Sequence, residues 1–315
     1  MSPSAQPEAW PDLPYAAWKE TCATLHLWTQ IVGKVRLART PWLNHSWHVP
    51  LYVTARGLTT SLIPDGQRSF EITFDFIEHV LDIATSNGAC HQIALEPRTV
   101  ADFYGRVMLG LEGLGIPVPI NELPCEIPGA VPFSQDRAHA AYDAEHAQRF
   151  WRALLQVDRV LKQFRTGFIG KCSLVHFFWG SFDLAVTRFS GRRAPLHPGG
   201  APGLADAVMH EAYSHEVSSA GFWPGGGGVD HAAFYSYAYP VPDGFAASAV
   251  RPEAAFFSET LGEFLLPYDA VCTAPDPDAA LLAFLQSTYE AAAATWDRAA
   301  LESEPGLPGV PRPVR

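Results

Sequence analysis

Residues 167–195 read GFIGKCSLVHFFWGSFDLAVTRFSGRRAP, and two strand-forming blocks inside them, 174–179 and 182–189, flank Gly180-Ser181. Aromatic and β-branched side chains fit a pleated surface, and a two-residue Gly-X link between such blocks predicts a hairpin closed by a type II′ turn. The turn sets the register: Trp179 faces Phe182, Phe178 faces Asp183, Phe177 faces Leu184 and His176 faces Ala185. One side of the hairpin (Val175, Phe177, Trp179, Phe182, Leu184, Val186) is wholly apolar and belongs to a core. The other side carries Leu174, His176, Phe178, Asp183, Ala185 and Thr187. His176 and Asp183 therefore share a side on a diagonal, with backbones about 7–8 Å apart. A carboxylate near an imidazole can orient it, fix its tautomer and raise its basicity, so the pair is a candidate acid–base centre. The plain alternative is a satisfied polar pair under a loop.

Outward from the hairpin, Ala147, Phe150, Leu154, Val157, Leu161 and Phe164 recur in steps of three and four and predict a long helix over 140–165. After the hairpin, 211–220 and 234–239 read as strands, the second placing Tyr235, Tyr237 and Tyr239 on one face, and 263–270 reads as the last strand. Gly221-Phe222-Trp223-Pro224-Gly225 reads as a rigid turn. Asp276 and Pro277 form the start signal of a closing helix.

Before the hairpin, Trp18, Cys22, Leu25, Trp28 and Val32 mark a helix over 16–32 ended by Gly33, with His26 off its apolar stripe. Segments 47–54, 58–63 and 70–76 follow as strands, the last running on toward Asp82, and 91–95 is a further short strand. Thr99 caps a helix that Gly115 stops. Each half thus runs helix, a Gly-Lys sequence (Ile31 to Lys34, Phe168 to Lys171), aromatic strands and a helix. This predicts an α+β fold of antiparallel sheets with packed helices, in two pseudo-symmetric halves from an internal duplication. The expected divisions are a mobile arm (1–15), a first half (16–116), a proline-rich crossing (117–138), a second half (139–298) and a loose tail (299–315).

Of the 315 residues, 48% are hydrophobic and 17% charged, the composition of a chain that buries a large core. A formal net charge of −11 argues against nucleic acid as a partner, since phosphate binding needs a surplus of Lys and Arg. No apolar run is long enough to span a membrane and the N-terminus lacks a secretory pattern. Five scattered cysteines without CxxC spacing read as free thiols. The expectation is a cytoplasmic protein acting on a small molecule.

Further chemistry gathers at 210–216, HEAYSHE, where Glu211 and His215 share a side whether the segment is strand or helix, and Glu216 follows. The spacing is not HExxH, but His176, His210, His215 and Glu216 are candidate ligands for a transition metal. His48 stands before a strand as the counterpart of His176, the two expected to meet across a pseudo-twofold groove. Trp47, Tyr52, Trp179, Trp223, Tyr235 and Tyr237 are candidate walls for a flat or apolar ligand, and Arg56 or Arg188 for clamping an anion. No phosphate-cradling GxxxxGK[ST], no GxGxxG after a strand and no GxSxG elbow occurs, so no nucleotide motif is present.

The strings HVPLYVTARGLTTS, HFFWGSFDLAVTRFSGR and EAYSHEVSSAGFWPG, with LQSTYEAAA near the end, resemble a bacterial family catalogued as domain of unknown function five-nine-nine-six. The likeness covers about residues 18–296. It implies one family-wide unit and implies no reaction. From the residues alone, the expected function is an enzyme using His/carboxylate acid–base chemistry on a small anionic or aromatic molecule. The alternatives are a non-catalytic binding or sensing protein and a metal-dependent enzyme with a His/Glu site.

Overall fold

The computed structural model describes residues 10–302. It opens with α1 (Tyr15–Arg39), followed by β1 (Tyr52–Val53), β2 (Gly57–Thr59), β3 (Ile63–Asp65), β4 (Arg68–Asp75), β5 (Val80–Thr85), β6 (Cys90–Ala94) and α2 (Val100–Gly113). The second run is α3 (Ala144–Thr166), β7 (His176–Phe178), β8 (Asp183–Arg193), α4 (Asp206–Ala212), β9 (His215–Trp223), β10 (Ala233–Tyr239), β11 (Phe256–Ser258), β12 (Glu263–Pro267), α5 (Tyr268–Cys272), α6 (Pro277–Ala292) and α7 (Arg298–Leu301). The strands form two antiparallel sheets, ordered β1-β2-β4-β5-β6 with β3 on β4, and β11-β12-β10-β9-β8-β7. The protein is α+β, with a helix before each sheet. A reciprocal bridge between Leu51 and Phe177, N–H to O at 2.9 Å in both directions, joins the first sheet to the second.

α1 is the central spar. Trp18, Leu25, Trp28, Ile31, Val32 and Val35 are buried, and so are Thr24, Gln30, Lys34 and Arg36, so the helix is enclosed on most sides rather than lying on a surface. Trp28 stacks on Phe103 of α2 at 4.4 Å and Trp18 packs on Phe150 of α3 at 5.1 Å. Gly33 does not end this helix. The indole of Trp179 lies where a Cβ would stand, so the glycine serves close packing and the helix runs six residues further, to Arg39.

The hairpin register is as expected, with His176↔Ala185, Phe177↔Leu184 and Phe178↔Asp183. Its turn is longer than the type II′ reading, spanning 179–182 with Phe182 in the left-handed region at φ 60°. The β4 strand stops at Asp75 instead of running to Asp82. Its carboxylate takes the N–H groups of Ile77 (2.9 Å) and Glu78 (3.0 Å), turning the chain back into β5. Residues 206–212 are helical, not part of a strand, since Ala, Met and Glu there favour a helix and β9 starts only at His215. Gly221, Phe222 and Trp223 continue β9 rather than forming a turn. Tyr268 begins α5 where the last strand was expected to continue.

The expected caps hold: Thr99 Oγ1 accepts from Asp102 N, and Asp276 from Ala279 N. Among the described residues, no strand or α-helix interrupts 114–132. The arm is not free from Trp10 onward. Trp10 and Leu13 are buried, and Trp10 packs against Phe234 and Tyr268. The tail is held as far as Glu302, which bridges to Phe168, while residues 1–9 and 303–315 lie outside the described residues.

Candidate functional site

A cavity of about 1080 Å³ lies against one face of the second sheet, walled also by α1, α4, the 42–49 segment and the 124–131 loop. Strand alternation decides what enters it. Along β8, Asp183, Ala185, Thr187 and Phe189 face the cavity, while Arg188 faces α3 and α6 on the other side. Tyr235 and Tyr237 on β10, Ser219 and Trp223 on β9 and Glu263 on β12 complete that wall.

The polar centre is Asp183, 7% exposed. Its carboxylate accepts hydrogen bonds from Ser181 Oγ and from the phenol of Tyr235. The latter contact spans a strand. Tyr235 pairs with Gly221, which pairs with Ala185, and a Cβ on Gly221 would stand 2.5 Å from the Tyr235 hydroxyl and from Leu184 O. The missing side chain on β9 is what lets the phenol cross to β8. Next to this pair, Tyr213 and Tyr237 share a hydrogen bond of 2.9 Å.

Two more carboxyl groups face the same space. Glu126, held at φ 62° in its loop, places a carboxylate oxygen against Gly180, at a spot a side chain there would fill. Glu263 stands at the start of β12. Neither carboxylate has a hydrogen-bond or ion-pair partner among the described residues. Enclosure disfavours their charged forms, and the charge of Asp183 adds to it, so both are pushed up to about 7. Burial likewise pushes Asp183 up to about 6, against the opposing pull of its Ser181 and Tyr235 hydrogen bonds. On the α1 wall, His26 Nε2 donates to Gly180 O at 2.8 Å, which leaves Nδ1 as the acceptor nitrogen. Its ring stacks on Phe182 at 4.9 Å, and burial lowers it to about 4, so it is neutral.

At the rim, Trp42 donates to Glu211 at 2.8 Å and Lys171 donates to His45 Nε2 at 2.6 Å. His45 Nδ1 lies 3.2 Å from Ala212 O, and its ring is 6.3 Å from that of His215. Desolvation lowers both Lys171 and His45, and the Lys171 charge adds to the lowering of His45.

The model of the family of unknown function DUF5996 matches residues 10–303. The chain belongs to this family. No curated protein and no solved structure matches it. The match runs through both sheets and every wall of the cavity, so the site is built within the family unit rather than between modules.

In this family member, the cavity gathers Asp183, Trp47, Trp179, Trp223, Tyr235 and Tyr237 as the sequence suggested. It does not gather the expected imidazoles. His176 is 1% exposed, enclosed by the rings of Trp47, Tyr52 and Phe178; among the described residues its Nδ1 has no partner, and no hydrogen bond or ion pair joins it to Asp183. Burial lowers it to about 3, with the Arg36 charge adding. His48 packs on Trp42 and accepts from Leu43 N at 3.2 Å. Neither His48 nor His176 lines the cavity, so the shared imidazole groove is replaced by a carboxyl-lined one. Tyr52 lies under Arg36.

Glu211 and His215 fall on different elements, α4 and β9, and reach only the rim. His210 sits in the last turn of α4, and Glu216 points away to Arg192 at 2.8 Å. No three His, Cys, Asp or Glu side chains converge as metal ligands among the described residues. The anion clamp is absent. Arg56 pairs with Asp75 on the surface at 2.5 Å, and Arg188 donates to Phe164 O while stacking on the Phe164 ring at 3.4 Å. Among the described residues, no Lys or Arg lines the cavity. Sequence reasoning gave no role to Glu126, Glu263 or His26; His26 alone had left a mark, as a polar residue off the apolar stripe of α1.

Proposed function

We propose that the cavity binds a small organic molecule with a flat or apolar body and moves protons on it, with Asp183 as the base. The observation that carries this reading is a buried carboxylate, held by two hydroxyl donors, facing an aromatic-walled cavity of about 1080 Å³ beside two carboxyls pushed up to about 7. General acid–base catalysis works best with groups that titrate near the working pH, and neighbouring carboxyls with separated affinities divide the roles of base and acid. Near pH 6.5 the ionised form of Asp183 is kept by Ser181 and Tyr235, while Glu126 and Glu263 hold protons. The three titrate as a coupled set, so the roles belong to the set's steps as much as to single residues. The original expectation of His/carboxylate chemistry is thereby narrowed: the carboxyls act and neutral His26 supports the wall. Five free thiols fit a reducing compartment, and we place the protein in the cytoplasm.

The test is incubation of the protein with a metabolite extract, followed by profiling against Asp183→Asn, with circular dichroism as the check on folding. Consumption of a compound by the wild type and not by a folded D183N supports proton transfer. A compound retained without consumption assigns the cavity to binding alone, and consumption undiminished in D183N removes Asp183 from the chemistry.

A further inference from the structure

We infer that the cavity's ligand is an organic cation, a protonated amine or quaternary ammonium group on an apolar body, seated between the carboxyls and the tyrosine rings. The inference rests on the cavity assignment above and names its ligand class. Four carboxyl groups line the cavity. Asp136 is already satisfied, taking the N–H groups of Ala138 and His139 and the His139 ring at 2.7 Å. Asp183 has two hydroxyl donors. Among the described residues, Glu126 and Glu263 have none, and no Lys or Arg side chain lines the wall to balance them. A positive group within a few ångströms favours the ionised form of a carboxyl, so a cation entering the cavity would turn Glu126 and Glu263 from proton holders into its counter-charges.

The rings argue the same way from a different property. Tyr235 and Tyr237 stack at 6.1 Å with planes 17° apart, and their faces carry the negative side of the aromatic quadrupole. Aromatic faces beside carboxylates attract ammonium groups and repel anions. Elsewhere in this chain a buried cation is held against aromatic rings: the Arg188 guanidinium lies 3.4 Å from the Phe164 ring centre on α3 and 4.3 Å from that of Tyr289 on α6. At the cavity's rim Lys171 stands over the Trp47 and Phe189 rings, at 5.2 and 5.0 Å, whereas over Tyr235 and Tyr237, among the described residues, the protein places no Lys or Arg. A net charge of −11 adds a long-range field that draws positive ligands.

Calorimetric titration with three probes of one size separates the classes: 2-phenylethylamine, 2-phenylethanol and 3-phenylpropionate. The amine is expected to bind at least tenfold more tightly than the alcohol, and the propionate least. Glu126→Gln and Glu263→Gln, singly and together, are expected to weaken the amine tenfold or more and leave the alcohol unchanged. Equal or tighter binding of the alcohol or the propionate overturns the inference, as does a folded double variant that keeps its affinity for the amine, or a wild type that takes none of the three. The proton-transfer reading fails separately, in the extract experiment: a neutral compound consumed through Asp183 would overturn the cation and keep the chemistry, while an amine bound in the cavity and never consumed would do the reverse.

Discussion

His176 is a neutral imidazole sealed beneath Trp47, Tyr52 and Phe178, and its Nδ1 has no partner among the described residues. Burial holds its folded-state pKa at about 3, below the unfolded value. A depressed pKa means the unfolded chain binds the proton more tightly, so this group's contribution is fully present above about pH 6.5 and is lost as pH falls toward 3. His176→Phe is therefore expected to fold and to lose less stability than wild type between pH 7 and 4, by about 2 kcal/mol in urea titrations. Loss of turnover in a stable H176F would return the residue to the chemistry. The sequence placed His176 and Asp183 on one face of a hairpin, and that much is correct. What alternation could not show is that Trp47 and Tyr52, more than a hundred residues earlier, cover one of the two and leave the other open. Glu126 was equally hidden, because its placement depends on a left-handed residue in a proline-rich loop meeting a glycine over fifty positions away.

At the scale of elements, the β8-β9-β10 trio is a device for delivering one phenol. Tyr235, Gly221 and Ala185 lie in one row across three strands, and the row is small where the ring must cross. Gly221→Ala puts a methyl group into the Tyr235 hydroxyl and Leu184 O, so it is expected to separate Tyr235 from Asp183. The outcome is a protein destabilised by about 1–3 kcal/mol, as for an overpacked core site, with turnover reduced well beyond that of Tyr235→Phe. A G221A protein with unchanged activity would show the contact to be incidental. Strands with clean alternation were readable here, and the register of β7 on β8 followed from composition. The α4 segment was not, because Val217 to Ser219 lend strand character to residues just before them, while Ala, Met and Glu within 206–212 favour a helix. Gly33 misled for a related reason: a glycine after an apolar stripe marks a helix end only when nothing packs where its side chain would be, and here Trp179 does.

Across the whole molecule, groups with opposite shifts set a window of greatest stability. Asp183, Glu126 and Glu263 have raised folded-state values, so their contribution is fully present below about pH 4 and is lost as pH climbs through 6 and 7. His26 and His176 act in the reverse sense, losing theirs as pH falls below about 6.5. Stability is expected to be greatest in mildly acidic solution, and D183N to flatten the alkaline side by about 1.5 kcal/mol when unfolding is measured at pH 5 and pH 8. An alkaline limb as steep in D183N as in wild type would show that Asp183 is ionised at little cost. The α+β architecture of antiparallel strands with packed helices was readable from strand and helix periodicities in both halves, but the expected duplication is not shown, since the two sheets connect their strands in different orders. How the sheets meet was not readable, since it depends on a bridge between residues 126 positions apart.

That bridge has a use of its own. Leu51 and Phe177 trade amide hydrogens on the seam between the sheets, and on either side of it Val49 and Phe178 stand in the cavity wall, with Trp179 reaching back to Val49 O at 2.9 Å. A guest lodged against both banks clamps the seam shut. The two amide protons then become a clock for occupancy: their replacement by deuterium slows when the hollow is filled, although the guest touches neither residue.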